Sequence, residues 1–255
     1  MIKLISTDFD GTLFAEFENP PIPVELQELI AGFQAGGGKW VINTGRDLSS
    51  LMEGMARSRI EIKPDYFGLV EREIYIHKNA QYASLDDWNL ECYRAHEQIF
   101  RRVRADLPRL VSWVDSQFDA MVYEDAYSPF CLVAGRKADA DAIQVYMEEY
   151  CGEVPGLQVV RNDVYSRFAH SNYDKGTVLA EISRRLGITA EEVFAVGDHY
   201  NDLPMLKTRY ARYLAAPSNA IEPVKQTVRE QGGYVSELSE GRGVAEALRF
   251  FLKRE

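Results

Sequence analysis

An α/β protein, built on a parallel sheet core and interrupted by a smaller inserted α+β unit, is the fold class that this 255-residue sequence predicts. Three observations carry the prediction. Short apolar runs alternate with helix-period segments at both ends of the chain, and that rhythm breaks between about residue 80 and residue 170. The runs at both ends also terminate in turns rich in Asp, Gly and Thr.

The elements follow in chain order. Residues 2–6 are an apolar run ending in Asp8-Phe9-Asp10-Gly11-Thr12, a strand that feeds a carboxylate-bearing turn. Residues 24–35 place Val24, Leu26, Leu29, Ile30 and Phe33 at helical spacing before Gly36-Gly37-Gly38. Residues 39–43 are a second strand with Thr44-Gly45-Arg46 as its loop, 47–57 a second helix and 64–70 a third strand. Strand, helix, strand, helix, strand means a parallel sheet. The middle reads differently: one long helix over 86–107, strands at 121–123 and 130–134, a helix over 138–150, and strands at 157–160 and 167–169. From Asp174 the first rhythm resumes, with helices over 177–186, 203–207, 221–230 and 243–252 and strands at 193–196, 213–215 and 233–235. Thr189 with Glu192 three residues later reads as a capping box. The expected domains are a core of residues 1–80 and 171–255, about 165 residues and an ordinary domain size, and an insert of residues 81–170.

Composition narrows the function. The chain is 46% apolar and 27% charged, the balance of an ordinary soluble protein. With 39 Asp and Glu against 29 Lys and Arg, a net charge of -10 argues against gripping nucleic acid over the whole surface, yet leaves a local anion site open. The basic residues Arg94, Arg101, Arg102, Arg104 and Arg109 share their segment with Glu91 and Glu97, so they read as a solvated helix face. Four His and three Cys without a C-x-x-C pair give no support to structural zinc or a disulfide framework. Carboxylates at positions 8 and 10 interrupt any signal-like run, and no stretch approaches 18 apolar residues, so a cytoplasmic chain with no membrane partner is expected.

Parallel sheets form their sites outside the carboxyl ends of the strands, where four polar groups fall: Asp8 to Thr12, Thr44 to Arg46, Asp174-Lys175-Gly176, and Gly197-Asp198 with Asn201-Asp202. Asp8 and Asp10 share one side of an extended strand. With Asp198 they offer the hard oxygen donors that magnesium takes beside water and a phosphate oxygen. Lys175 is placed to neutralise the rest of an anion. A D-x-D-G-T run is expected by chance roughly 0.003 times in a chain of this length.

These motifs, in this order, resemble the haloacid dehalogenase-like (HAD) hydrolase superfamily of magnesium-dependent phosphatases. The resemblance covers both outer segments, and the insert between the second and third motifs looks like the C2-type cap of the Cof-like and sucrose-phosphatase-like members. It implies a Rossmann-like core and a magnesium (Mg2+) cofactor. It also implies a phosphomonoesterase whose partner is a small phosphorylated metabolite, a sugar phosphate by resemblance alone. Asp8 matches the nucleophile that becomes an aspartyl phosphate. Asp10 matches the general acid, with its backbone carbonyl a metal ligand. Thr44, Gly11 and Lys175 match phosphate-binding positions, and Asn201 one that orients the nucleophile or phosphate. Asp198 matches a direct metal ligand and Asp202 one acting through water. Arg46, Arg136, Arg161 and His199 are candidate substrate contacts, although Arg46 equally suits pairing with a nearby acid and His199 an outward helix cap. Val70-Glu71-Arg72-Glu73 departs from the Glu-Asn-Gly-Ala common in Cof-like members. A phosphomutase shares every core residue, and a non-catalytic binding protein of the same fold is the remaining alternative.

Overall fold

The computed structural model describes residues 1–253. The chain divides into two compact units, Met1–Asp86 with Asp174–Glu255, and Asp87–Tyr173.

The first segment runs β1 (Leu4–Thr7), α1 (Val24–Ala35), β2 (Lys39–Asn43), α2 (Leu48–Arg57) and β3 (Tyr66–Leu69), as the apolar rhythm predicts. All four β1 residues are buried, so helices cover both faces of this strand and its sequence is an unbroken apolar run instead of an alternation. The segment then adds a hairpin, β4 (Glu73–Lys78) and β5 (Gln81–Ser84), that the sequence reading lacked. Its two-residue turn puts Asn79 and Ala80 at φ 52° and 62°. A hairpin turn with two positive φ values normally announces itself as Asn-Gly, and here Ala occupies the second place. The hairpin crosses position 80 and pairs with the large sheet.

The second unit holds α3 (Asp86–Val103), α4 (Leu107–Gln117), β6 (Ala120–Tyr123), β7 (Cys131–Ala134), α5 (Lys137–Glu153), β8 (Leu157–Asn162) and β9 (Tyr165–His170). The single helix expected over 86–107 ends at Val103, and a separate helix follows. Pro108 stands at the start of α4, where a missing N–H costs nothing, while it bars continuation of the preceding helix. β6, β7, β9 and β8 form an antiparallel sheet in that order. Phe130, Leu132 and Phe168 pack in one core with Phe100, Val103, Leu110, Val114, Ile143 and Met147.

The chain returns through α6 (Lys175–Leu186), β10 (Val193–Val196), β11 (Tyr213–Ala216), α7 (Glu222–Glu230), β12 (Tyr234–Val235) and α8 (Glu240–Leu252). Thr189 N donates to Glu192 Oε2 at 3.0 Å, the capping contact expected there. Where a helix over 203–207 was expected, the chain makes a 3-10 turn at Tyr200–Asp202. The turn continues only as far as bonds from Met205 and Leu206 N to Asp202 O, and Pro204 supplies no donor to extend it. The large sheet runs β12-β11-β10-β1-β2-β3-β4-β5, parallel from β12 to β3 and antiparallel in the hairpin. Thr7 lies opposite both Val196 and Ile42, so β1 and β10 end level and β2 ends one residue later, at Asn43. Asp8, Gly197 with Asp198, and Thr44 after the last β2 residue Asn43 therefore emerge together at the carboxyl edge. Among the described residues no helix is long and apolar enough to cross a membrane.

Candidate active site

Asp8 leaves β1 still tied to the sheet, its N–H donating to Val196 O at 3.0 Å. The chain then folds on itself: Leu13 N and Phe14 N both donate to Phe9 O, at 2.9 and 2.8 Å. Gly11 makes the turn at φ +71°, and a Cβ there would lie 2.6 Å from Asp198 Oδ2. Both the backbone conformation and the closeness of Asp198 therefore require glycine. Thr12, one residue on, donates from Oγ1 to Asp198 Oδ1 at 2.8 Å, linking the β1 turn to the β10 turn.

Lys175 is the first residue of α6. Asp174 caps that helix by accepting from Thr177 N at 2.7 Å, and Asn43 Nδ2 donates to Lys175 O at 2.8 Å, so both the helix start and the end of β2 fix its backbone. Its ammonium, wholly buried, donates to Asp8 Oδ1 and Asp202 Oδ1, each at 2.6 Å. Asp202 is equally buried, and its other oxygen accepts from Asp198 N and His199 N at 2.8 and 2.9 Å. A Cβ at Gly197 would overlap the Asp202 side chain, so this turn closes only with glycine there.

One oxygen from each of Asp8, Asp198 and Asp202 lies within 4.8 Å of the others. Lys175 supplies one positive charge to three carboxylates, and the electrostatics register the deficit. Burial pushes the Asp8 carboxyl well above its usual range; Lys175 opposes this, while Asp202 and Asp198 add to it. Asp198 is pushed up to about 7 by burial and by Asp202. Burial alone would lower Lys175, but Asp202, Asp8 and Glu71 more than reverse that and hold it protonated. The donor set fits a hard divalent cation: Asp8 and Asp198 each keep an oxygen that no described residue engages, whereas both Asp202 oxygens are taken.

The remaining expected residues are distributed unevenly. Thr44 is buried beside this cluster, its Oγ1 accepting from Arg46 N at 3.2 Å. Asn201 is buried too, with Nδ2 donating to Glu71 Oε1 at 2.9 Å, so this donor faces a carboxylate where a phosphate was expected. Asp10, with a side chain 41% exposed, accepts from Nε and Nη2 of Arg46, at 2.7 and 2.5 Å. Arg46 was a candidate substrate contact; the structure places it on Asp10 and on Ser50 O, its guanidinium 5.1 and 5.7 Å from the Phe9 and Phe14 ring centroids. His199 is the N-cap of the 3-10 turn, as the cap reading expected, but it is buried instead of outward-facing and packs edge-on against Tyr200. In the second unit, Arg136 pairs with Asp139 at 3.0 Å, and Arg161 with Asp141 at 2.7 Å and Asp163 O at 2.6 Å. The sequence reading assigned no role to Thr12, Asn43 or Glu71. Thr12 was legible inside the D-x-D-G-T run, while Asn43 and Glu71 act through partners more than a hundred residues away.

The fold is shared with known proteins. A phosphoglycolate phosphatase from Methanothrix thermoacetophila is 31% identical over 132 residues, 52% of this chain and 55% of that protein. The chain thus spans about half the length of that relative. A 5-amino-6-(5-phospho-D-ribitylamino)uracil phosphatase from Bacillus subtilis is 27% identical over 98% of this chain and 96% of its own. Among solved structures, the sucrose-phosphatase of Synechocystis, bound to sucrose and phosphate, superposes with a TM-score of 0.72 at 17% identity over 98% of both chains. The model of the haloacid dehalogenase-like hydrolases matches residues 111–248, more than half of the chain, a stretch that includes Lys175, Asp198, Asn201 and Asp202. Since that match and the Lys175-bridged carboxylates at the edge of a parallel sheet agree, the chain belongs to the haloacid dehalogenase-like hydrolase family.

Proposed function

We propose that this chain is a magnesium-dependent phosphomonoesterase that cleaves a small phosphorylated metabolite through a phospho-aspartate at Asp8. The observation that carries the reading is the buried Lys175 ammonium held between Asp8 and Asp202, with Asp198 alongside. A buried cation beside a carboxylate nucleophile serves an anionic reactant, because it offsets the repulsion between the two. The free oxygens of Asp8 and Asp198, with the Asp10 carbonyl, would hold magnesium, which when bound would supply the second half of that neutralisation.

The residues divide the work. An Asp8 oxygen forms a bond to phosphorus as the ester oxygen leaves, and Asp10 gives that oxygen its proton. In the second step water attacks the aspartyl phosphate, Asp10 takes the proton back, and inorganic phosphate departs. Asp10 must release Arg46 to reach the leaving oxygen, so the pair seen here is the resting arrangement of the general acid. Thr44 Oγ1 and the Phe9 and Asp10 N–H groups are the donors to the transferring phosphoryl oxygens, since the Gly11 and Thr12 N–H groups donate to Phe14 O and Phe9 O within the turn. The relatives are named for three different leaving groups, and they share a phosphomonoester. A sugar or polyol phosphate is the class we favour.

A panel of phosphomonoesters with magnesium, including a hexose phosphate with and without its 1,6-bisphosphate, tests this reading. Release of inorganic phosphate, abolished in Asp8→Asn and lowered in Asp10→Asn, is expected. An isomeric sugar phosphate as sole product would indicate a mutase. Full turnover in Asp8→Asn would remove the nucleophile assignment, and no turnover on any ester would favour a binding protein.

A further inference from the structure

Glu71 is a buried acid that the reaction described above does not use. It stands in the turn after β3, and that turn is sewn to the loop after β2: Glu71 N donates to Thr44 O and Val70 N to Arg46 O, both at 3.0 Å. Val70 and Glu71 hold φ at 46° and 65°, two successive left-handed residues without a glycine and one of them β-branched. A turn with no task beyond connection places glycine at such positions. Backbone strain of this kind persists where the surroundings enforce it and where a side chain must be delivered to one place.

That place is the amide of Asn201. A carboxylate only accepts, so the contact of 2.9 Å between Asn201 Nδ2 and Glu71 Oε1 settles which end of the amide is which. Asn201 Oδ1, at the other end, is buried and receives no donor from any described residue. Gly45 leaves room for the pair, since a Cβ there would lie 3.1 Å from Glu71 Oε1 and 3.8 Å from Asn201 Nδ2. The Thr44 loop, the Glu71 turn and the Asn201 turn thus meet at one hydrogen bond. Glu71 also lies close enough to Lys175 to strengthen its hold on a proton.

We propose that Glu71 is a positioning residue of the phosphoryl-transfer site, holding the Asn201 amide so that its buried carbonyl oxygen accepts from a hydroxyl or water brought with the ligand. The inference rests on the phosphatase reading of the site. It assigns Asn201 an acceptor's part, where the motif alone suggested a residue that orients the nucleophile or the phosphate.

Two measurements test it. In the nitrogen-15 spectrum of the protein without substrate, the side-chain amide of Asn201, assigned by its loss in Asn201→Ala, should exchange slowly. It should remain protected in Glu71→Gln, whose carbonyl can still accept, and lose protection in Glu71→Ala. Kinetics with p-nitrophenyl phosphate and magnesium should show Glu71→Ala and Asn201→Ala each lowering kcat about tenfold, with the double variant no worse than either and Glu71→Gln recovering most of the loss. Additive losses in the double variant, or a Glu71→Gln as slow as Glu71→Ala, would overturn the proposal. So would a rapidly exchanging Asn201 amide in the unsubstituted protein, a result that stands even if Glu71→Ala does not fold. If the unsubstituted protein turns over no phosphate ester, the phosphatase reading fails instead, and the exchange data still report on the amide.

Discussion

Replacing Asp198 with Asn isolates the electrostatic cost of the carboxylate cluster. With no cation present, burial and the Asp202 charge raise the Asp198 carboxyl from 3.8 to about 7. At about 1.4 kcal/mol per pH unit, this is a penalty on the order of 4 kcal/mol for the ionised form, part of it shared with Asp202. The sign follows from the direction of the shift. A carboxyl raised by folding costs nothing below its unfolded value near 3.8, costs more as pH rises through the interval to about 7, and costs a constant amount above that. Asparagine keeps an oxygen to accept from Thr12 Oγ1, so the substitution removes charge and little else. Urea unfolding in the presence of a chelator should therefore find Asp198→Asn more stable at pH 8 by roughly 2–4 kcal/mol, a gap that narrows toward pH 4. Magnesium should then stabilise the unsubstituted protein and leave the variant nearly unmoved. Equal stability at pH 8 in chelator, or a gap that ignores pH, would refute the electrostatic account.

Lys175→Met leaves Asp8 and Asp202 facing each other without the ammonium that each touches at 2.6 Å, and should cost about 3–5 kcal/mol at neutral pH. The loss, read from denaturant midpoints, should shrink in acid as the stranded carboxylates take up protons. Gly11→Ala should lose about 1–2 kcal/mol from its positive φ and, by pushing on Asp198 Oδ2, at least about tenfold in magnesium affinity by calorimetry. Gly37→Ala is its control: φ is +92° with open space around, so stability should fall while magnesium affinity holds.

How much of this was legible in the sequence depends on where each residue's partner lies. Asp8, Lys175, Asp198 and Asp202 could be found because each occupies a strand end or helix start whose local pattern is strong, and because a phosphoryl site restricts the residue types at those points. The pairing of Arg46 with Asp10 left two readings open, since contact across 36 positions has no local signature. The burial of the cap residue His199 was missed for a similar reason. Its neighbours in sequence are polar, and its burial comes from the fold around the turn. The departure at Val70 to Glu73 was visible as an oddity. Its meaning was not, because Glu71 is explained only by an amide 130 positions away and by a backbone conformation that its residue type conceals. The helix break before Pro108 carried a usable signal, whereas the Asn79-Ala80 turn carried half of one.

Asp8 and Asp10 are the same residue type two positions apart, and the fold gives them opposite surroundings. Asp8 is buried against an ammonium, with two more carboxylates pressing on it, and burial favours its neutral form. A neutral carboxyl is no nucleophile, so the proposed attack by Asp8 would require added positive charge at the free oxygens of Asp8 and Asp198. In the proposed reaction the same charge would also bind the substrate's phosphate, which would tie readiness of the nucleophile to loading of the site. Asp10 sits at the half-exposed rim with an arginine across its two oxygens, held by a contact that a side-chain rotation can exchange for another. A group that must both give and take a proton needs that mobility and access to solvent, and a nucleophile in line with phosphorus needs neither. The two proposed roles are therefore separated by environment, and the left-handed glycine at position 11 closes the short turn that carries both residues.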